Sequence, residues 1–116
     1  LIKDDLIFHI VSRRKWKEWQ QNGFFVPPGR KEEDGLIRCL SAADVSEELN
    51  SEFAGRKHIL LLVINCSRLR STVRYLEVDG KEHPFVEGGI NLDAVIDKIQ
   101  LSPNENGRFD LEIETG

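Results

Sequence analysis

Apolar positions along the chain fall into short runs, each closed by a capping residue, a glycine or a proline. Leu6 to Val11 reads as a strand interrupted once, at His9. Ser12 follows as an N-cap, Trp16 and Trp19 share one helical face, and Gly23 offers a C′ stop. Phe24-Phe25-Val26 is a second apolar run, cut off by Pro27-Pro28-Gly29. The stretch from Pro27 to Gly35, with its charged segment Arg30 to Asp34, reads as a long loop of the kind that forms lids or binding segments. Leu36 to Leu40 is another strand, interrupted at Arg38. Ser41-Ala42-Ala43-Asp44 has the form of a capping box, and Val45, Leu49 and Phe53 continue a helical stripe that ends at Gly55. His58 to Ile64 is apolar on both faces, the pattern of a central strand covered on two sides.

Beyond residue 73 the pattern becomes that of hairpins. Val73 to Val78 closes on Asp79-Gly80, a hairpin turn signal. Val95 to Leu101 and Arg108 to Ile113 read as strands joined across Asn106-Gly107, with Phe109, Leu111 and Ile113 inward. Between His83 and Ile90 no regular element is assigned; Asn91-Leu92-Asp93 reads as a short capped turn. Strand–helix units followed by hairpins predict an α+β fold with two main helices and a bent, split sheet, mixed or antiparallel. A single domain is expected over residues 1–116, with its core from about 6 to 113.

Bulk properties narrow the function classes. Of 116 residues, 40% are hydrophobic and 31% charged, an ordinary globular balance. A net charge of −4 argues against general nucleic-acid affinity, because phosphate neutralisation needs a basic face. No apolar run reaches the length of a membrane span, so no membrane partner is expected. Cys39 and Cys66 fit neither a disulfide framework nor a metal motif, which points to a reducing, cytoplasmic setting. The chain opens on Leu1 and has no methionine, as an excised piece of a longer protein does.

Candidate chemistry begins with His9 and Arg38, polar groups set in apolar strands. A buried charge without a partner costs several kcal/mol, roughly, so each needs a partner or a ligand. For His9 the plain alternative is a core imidazole bonded to a backbone carbonyl; for Arg38 it is outward projection. Ser41 reads as an N-cap, although a helix N-terminus also offers amides to a phosphate. The cluster Arg13-Arg14-Lys15-Trp16-Lys17 is either a solvated basic face or an anion site holding pyrophosphate through Arg13 and Trp16. Glu87 is the candidate acid, since it follows Phe85-Val86 and precedes two glycines that permit close approach. Glu47, Glu48 and the Glu32 to Asp34 run read as solvated charges. His58 and His83 show no metal-ligand spacing with His9 or either cysteine, so no metal is expected.

The order of Ile7-Phe8-His9-Ile10-Val11, Gly35-Leu36-Ile37-Arg38-Cys39-Leu40-Ser41-Ala42-Ala43-Asp44-Val45, Phe53-Ala54-Gly55, Leu60 to Ile64, Val73-Arg74-Tyr75 and Pro84-Phe85-Val86-Glu87-Gly88 resembles the uncharacterised family known as domain of unknown function 952. The likeness runs from about Leu6 to Leu101. That family is regarded as a distant relative of the ADP-ribosyltransferase superfamily. The resemblance therefore implies an ADP-ribosyltransferase-like split sheet and a cleft for NAD, as substrate, or another ADP-ribose-containing ligand. By position it implies that His9 orients the dinucleotide, that Arg38 and Ser41 flank the nicotinamide side, and that Glu87 stabilises an oxocarbenium-like ribose. The chain departs from the family pattern where Ile-His-Cys-Ser becomes Ile37-Arg38-Cys39-Leu40. It departs again where Pro-His-hydrophobic-Tyr-Gly becomes Pro84-Phe85-Val86-Glu87-Gly88. These departures predict a compensating Arg38–Glu87 ion pair. Three functions stay open at this point: a transferase or glycohydrolase acting at the nicotinamide ribose with His9 and Glu87 catalytic, a non-catalytic nucleotide- or anion-binding module, and an interaction domain using an exposed side of Trp16 and Trp19.

Overall fold

The computed structural model describes residues 5–27 and 35–111. The expected charged loop and Ile113 lie outside the described residues. In chain order the elements are β1 (Leu6–Ser12), α1 (Arg13–Glu18), β2 (Gln20–Gln21), β3 (Phe24–Phe25), β4 (Leu36–Arg38) and α2 (Ala42–Glu52). There follow β5 (Ile59–Asn65), a 3₁₀ turn at Cys66–Arg68, β6 (Val73–Val78), β7 (Lys81–Glu87), β8 (Ile90–Asn91), a 3₁₀ turn at Leu92–Ala94 and β9 (Val95–Leu101).

The strands form three small sheets, ordered β1-β5-β9, β2-β3-β8 and β4-β7-β6. Every strand pair among the described residues is antiparallel. β5 is buried at every position because alternate residues feed two cores. Leu60, Leu62 and Ile64 pack with Ile7, Val11, Trp16 and Phe25 on one face. Ile59, Leu61 and Val63 pack with Phe8, Ile10 and the Val45/Leu49 stripe of α2 on the other. The expected central strand is therefore present, and antiparallel neighbours suffice to cover it.

The split in the sheet lies between β1 and β4. These two segments meet at a single bridge, where the Phe8 amide donates to the Leu40 carbonyl at 2.8 Å and the Leu40 amide donates back at 2.7 Å. On either side of that bridge β1 belongs to one sheet and β4 to another.

Several local expectations are corrected. Ser12 does cap α1, accepting from the Lys15 amide at 3.2 Å, but Gly23 is not the stop of that helix. The helix ends earlier, at Glu18, where the Gln20 side-chain amide donates to the Trp16 carbonyl at 2.9 Å and the chain turns extended. Gly23, at φ +82°, instead completes the Asn22-Gly23 turn between β2 and β3. The capping box at Ser41 is not made: the Ser41 side chain bonds no helix amide, and the Asp44 amide donates to the Ser41 carbonyl at 3.0 Å. The Asp44 carboxylate turns away to an ammonium on β7.

Residues 81–87 form the middle strand of the third sheet, although Pro84 lies within them. Within a strand the amide and carbonyl of one residue point the same way. The Pro84 carbonyl accepts from the Cys39 amide, just where the β4 ladder ends, so the missing proline donor falls opposite a strand already leaving the sheet. Finally, residues 108–111 are not a strand. Phe109 is buried, as expected, but it is held by the side chain of Asn50, which accepts from the Phe109 amide at 2.7 Å and donates to its carbonyl at 3.1 Å.

Candidate functional site

At the split, the ring of His9 reaches across to β4. Its Nδ1 lies 3.0 Å from the Arg38 carbonyl, and since a carbonyl only accepts, this nitrogen carries the proton. The ring edge also meets Phe25, with centroids 5.6 Å apart. Burial pulls the imidazole below its ordinary pKa of 6.5, against the opposing effect of the Arg38 carbonyl, so His9 is neutral near pH 7. A hollow of about 210 Å³ opens beside it, lined by His9, Ile10, Arg38, Leu40, Glu48 and Phe53.

Arg38 projects outward from β4 with its side chain 45% exposed, rather than being buried as its apolar neighbours suggested. β4 is an edge of its sheet, and Ile37 takes the core-facing position. The Arg38 guanidinium pairs with Glu48 on α2 at 3.5 Å. The predicted Arg38–Glu87 ion pair is not formed, because Glu87 pairs with Arg74 on β6 at 3.1 Å. The Glu87 backbone registers with Leu36, two pairs along from Arg38–Phe85 and so on the same sheet face, but the residue does not line the hollow. Thus two of the three expected side chains share a hollow and the third stands apart from it.

A second hollow of about 170 Å³ adjoins the first across the Arg38–Glu48 pair, which lines both. Its other walls are Leu40, Asp44, Glu47, Val78, Asp79, Lys81 and His83. Here the Lys81 ammonium donates to Asp44 Oδ1, a contact that raises the lysine pKa. Asp44 Oδ2 faces His83 Nδ1 at 3.8 Å.

The remaining candidates lie elsewhere. Trp16 is a core residue, stacked near Phe25 with centroids 5.1 Å apart, and Trp19 is half-buried beside the same ring. The exposed double-tryptophan surface expected for an interaction domain is therefore not formed. Arg13 is exposed and bonds the His58 ring at 3.2 Å, while Arg14 pairs loosely with Glu18 at 3.9 Å. Lys15 lies over the Trp19 ring. Ser41 is half-buried at the start of α2 and lines neither hollow. Both cysteines are free thiols, and burial drives the Cys39 thiol strongly upward in pKa, as for an inert core residue.

Two of the positions where the chain departs from the pattern of the family it resembles, 38 and 85, lie side by side. Position 38 registers with position 85 on the adjacent strand, and His9 bonds the backbone of position 38. The family model described as "Protein of unknown function (DUF952)" matches residues 10–98. The chain belongs to the DUF952 family. A comparison with curated proteins returned no match. Among solved structures, the crystal structure of protein CC0527 from Caulobacter crescentus is similar, with a TM-score of 0.78 at 21% identity over 91% of this chain and 94% of that one. A crystal structure of a double methionine variant of CC0527 gives the same TM-score at 20% identity, and the solution NMR structure of CC0527 gives 0.74 at 21% over 89% and 90%. At such identities the likeness speaks to the fold alone.

Within this DUF952 domain, sequence reasoning missed Glu48, Asp44 and His83. Glu48 stands on the side of α2 that faces Arg38, three residues after the core residue Val45, a spacing that marks it as a boundary position. Asp44 resembled a cap, and its partners on β7 are visible only once the hairpin is folded.

Proposed function

We propose that this domain is a non-catalytic binding module for a nucleotide-like small molecule, NAD or another ADP-ribose-containing ligand, held where His9 and Arg38 meet. The observation that carries this reading is the shared hollow beside the split. Ile10, Leu40 and Phe53 offer apolar walls for a ring, a neutral His9 offers a fixed imidazole, and one cation stands at the rim. Arg38 is half exposed and held by a single long ion pair, so its guanidinium re-aims to a phosphate at small cost. The ligand class is the one that the sequence resemblance implies, through the view of this family as a distant relative of ADP-ribosyltransferases.

A second reading, cleavage or transfer at the nicotinamide ribose, is favoured by one observation. Glu48, 21% exposed, places a carboxylate in the same hollow as His9, in the part that the sequence resemblance implied for Glu87. With Glu87 held by Arg74, catalysis in this hollow falls to Glu48.

Titration of the labelled protein with NAD, ADP-ribose and nicotinamide, followed by amide shifts, tests the module. Saturable shifts at residues 9–10, 38–40 and 53, lost in Arg38→Ala, support it. Shifts confined to other surfaces, or none, overturn it. Nicotinamide release that disappears in Glu48→Gln would establish the enzyme instead.

A further inference from the structure

We propose that Arg56 is a second phosphate-holding residue of the hollow beside the split, so that a ligand with two linked phosphates lies between the guanidiniums of Arg38 and Arg56. The inference deepens the nucleotide reading, on which its choice of ligand rests. It narrows that choice to diphosphate-containing ligands over those with one phosphate.

The chain itself brings Arg56 to this place. α2 ends at Glu52, and Gly55, at φ +75°, turns the backbone through a conformation open to glycine. The Arg56 amide then donates to the Phe53 carbonyl at 3.0 Å. This tight turn lays the Arg56 guanidinium over the Phe53 ring, 5.1 Å from its centroid. Phe53 is one of the apolar walls of the hollow, so Arg56 stands just outside it, on the ring that forms its wall.

Its setting differs from that of Arg38. Arg38 is engaged by Glu48, and a phosphate must draw it away from that carboxylate. Among the described residues Arg56 has no carboxylate partner, not even Glu52 four residues before it, because the turn carries Arg56 off the helix. A guanidinium resting on an aromatic face is held in place by the ring and keeps N–H donors for an acceptor. Arg38 stands at the Glu48 end of the α2 wall and Arg56 at its Phe53 end. One phosphate meets one of them, whereas two linked phosphates engage both.

The surroundings reinforce that end of the hollow. β1 forms its wall at His9 and Ile10 and then reaches Arg13, whose amide donates to the His58 carbonyl at 2.9 Å, two residues beyond Arg56. The exposed Arg13 guanidinium lies 3.2 Å from His58 Nδ1. A guanidinium only donates, so this ring nitrogen is the acceptor and the imidazole adds no competing anion. The β1 wall and the α2 wall therefore both lead to arginines, a field that draws an anion towards Phe53.

Amide-detected titrations with ADP-ribose, AMP, inorganic pyrophosphate and inorganic phosphate, at constant ionic strength, test the assignment. Saturable shifts at Arg38 and at residues 53–57 are expected from ADP-ribose and pyrophosphate. Arg56 is exposed, so Arg56→Gln leaves the core intact. That variant should bind ADP-ribose and pyrophosphate about two- to fivefold more weakly, the scale of an exposed charge pair, with AMP unchanged. ADP-ribose bound at full affinity by Arg56→Gln, with the shifts at residues 9–10 and 38–40 retained, would overturn this assignment and leave the nucleotide reading standing. Equal weakening of AMP and ADP-ribose would also overturn it, marking a general field rather than a diphosphate contact. Pyrophosphate shifts that weaken in Arg56→Gln, with no response to ADP-ribose, would uphold the arginine pair and sink the nucleotide reading. Silence towards both pyrophosphate and ADP-ribose would remove the two together.

Discussion

His9 holds the backbone of Arg38, not its side chain: the imidazole Nδ1 donates to the Arg38 carbonyl across 3.0 Å, at the point where β1 and β4 part. The bond gives the carbonyl at the end of β4 a side-chain donor, so His9 is a structural tie as well as a wall of the hollow. Replacing it by leucine removes the donor and leaves the carbonyl unsatisfied. His9→Leu should lower unfolding stability by about 0.5–1.5 kcal/mol in denaturant titration, the net worth of one hydrogen bond. A variant as stable as the wild type would show that water closes the carbonyl just as well.

The same residue fixes a pH dependence. Burial lowers the His9 pKa in the folded protein below the ordinary 6.5 of the unfolded chain. Between those two values the unfolded state binds a proton that the native state refuses, so native stability falls as pH falls. His9 contributes fully above about pH 7 and loses its contribution progressively as acid is added, from near 6.5 downward. His9→Gln keeps a donor but cannot titrate. Stability curves of the two proteins should run parallel above neutrality and converge or cross in mild acid, and curves parallel throughout would contradict the neutral imidazole with a lowered pKa.

Arg38 and Glu48 separate binding from folding. Their pair is long, at 3.5 Å, and the guanidinium is 45% exposed, so solvent screens it. A double-mutant cycle with Arg38→Ala and Glu48→Ala should return a coupling of no more than about 0.5 kcal/mol to stability. The same Arg38→Ala protein should lose its response to ADP-ribose. Large destabilisation with retained ligand response would make Arg38 a scaffold residue.

Much of the architecture is legible because it is written locally. The unbroken apolar run of β5 announces a strand covered on both faces, and Asp79-Gly80, both at positive φ, announces the β6–β7 hairpin. What escaped depends on partners distant in the chain. Asp44 looks like a cap from three residues away and becomes an ion-pair acceptor through Lys81, 37 residues on. Arg38 looks buried among Ile37 and Cys39, yet an edge strand gives one side to solvent, and no local pattern says which strand is the edge. Pro84 hid β7, since its tolerance there depends on where β4 ends. At the site, His9 and Arg38 were visible as polar interruptions, whereas Glu48 carried no signal beyond its helical phase.

The side chain of Asn50 supplies the last test, because it does for residues 108–111 what a strand partner would have done. Its amide oxygen accepts from the Phe109 N–H at 2.7 Å and its nitrogen donates to the Phe109 carbonyl at 3.1 Å, a two-point clamp that imitates one rung of a ladder. That clamp keeps Phe109, 3% exposed, against Val45 and Leu49 of α2 and the Leu61 face of β5. Asn50→Ala takes away the donor and the acceptor that meet the backbone of the buried Phe109, and should cost about 1–3 kcal/mol of stability. Hydrogen exchange at the Phe109 amide should accelerate far more than exchange within β5, since the segment can peel away while the central sheet stays paired. Asn50→Asp retains only the acceptor. It should slow that exchange relative to alanine while failing to restore full stability, and equal exchange in all three proteins would show that burial of the Phe109 ring alone holds the segment.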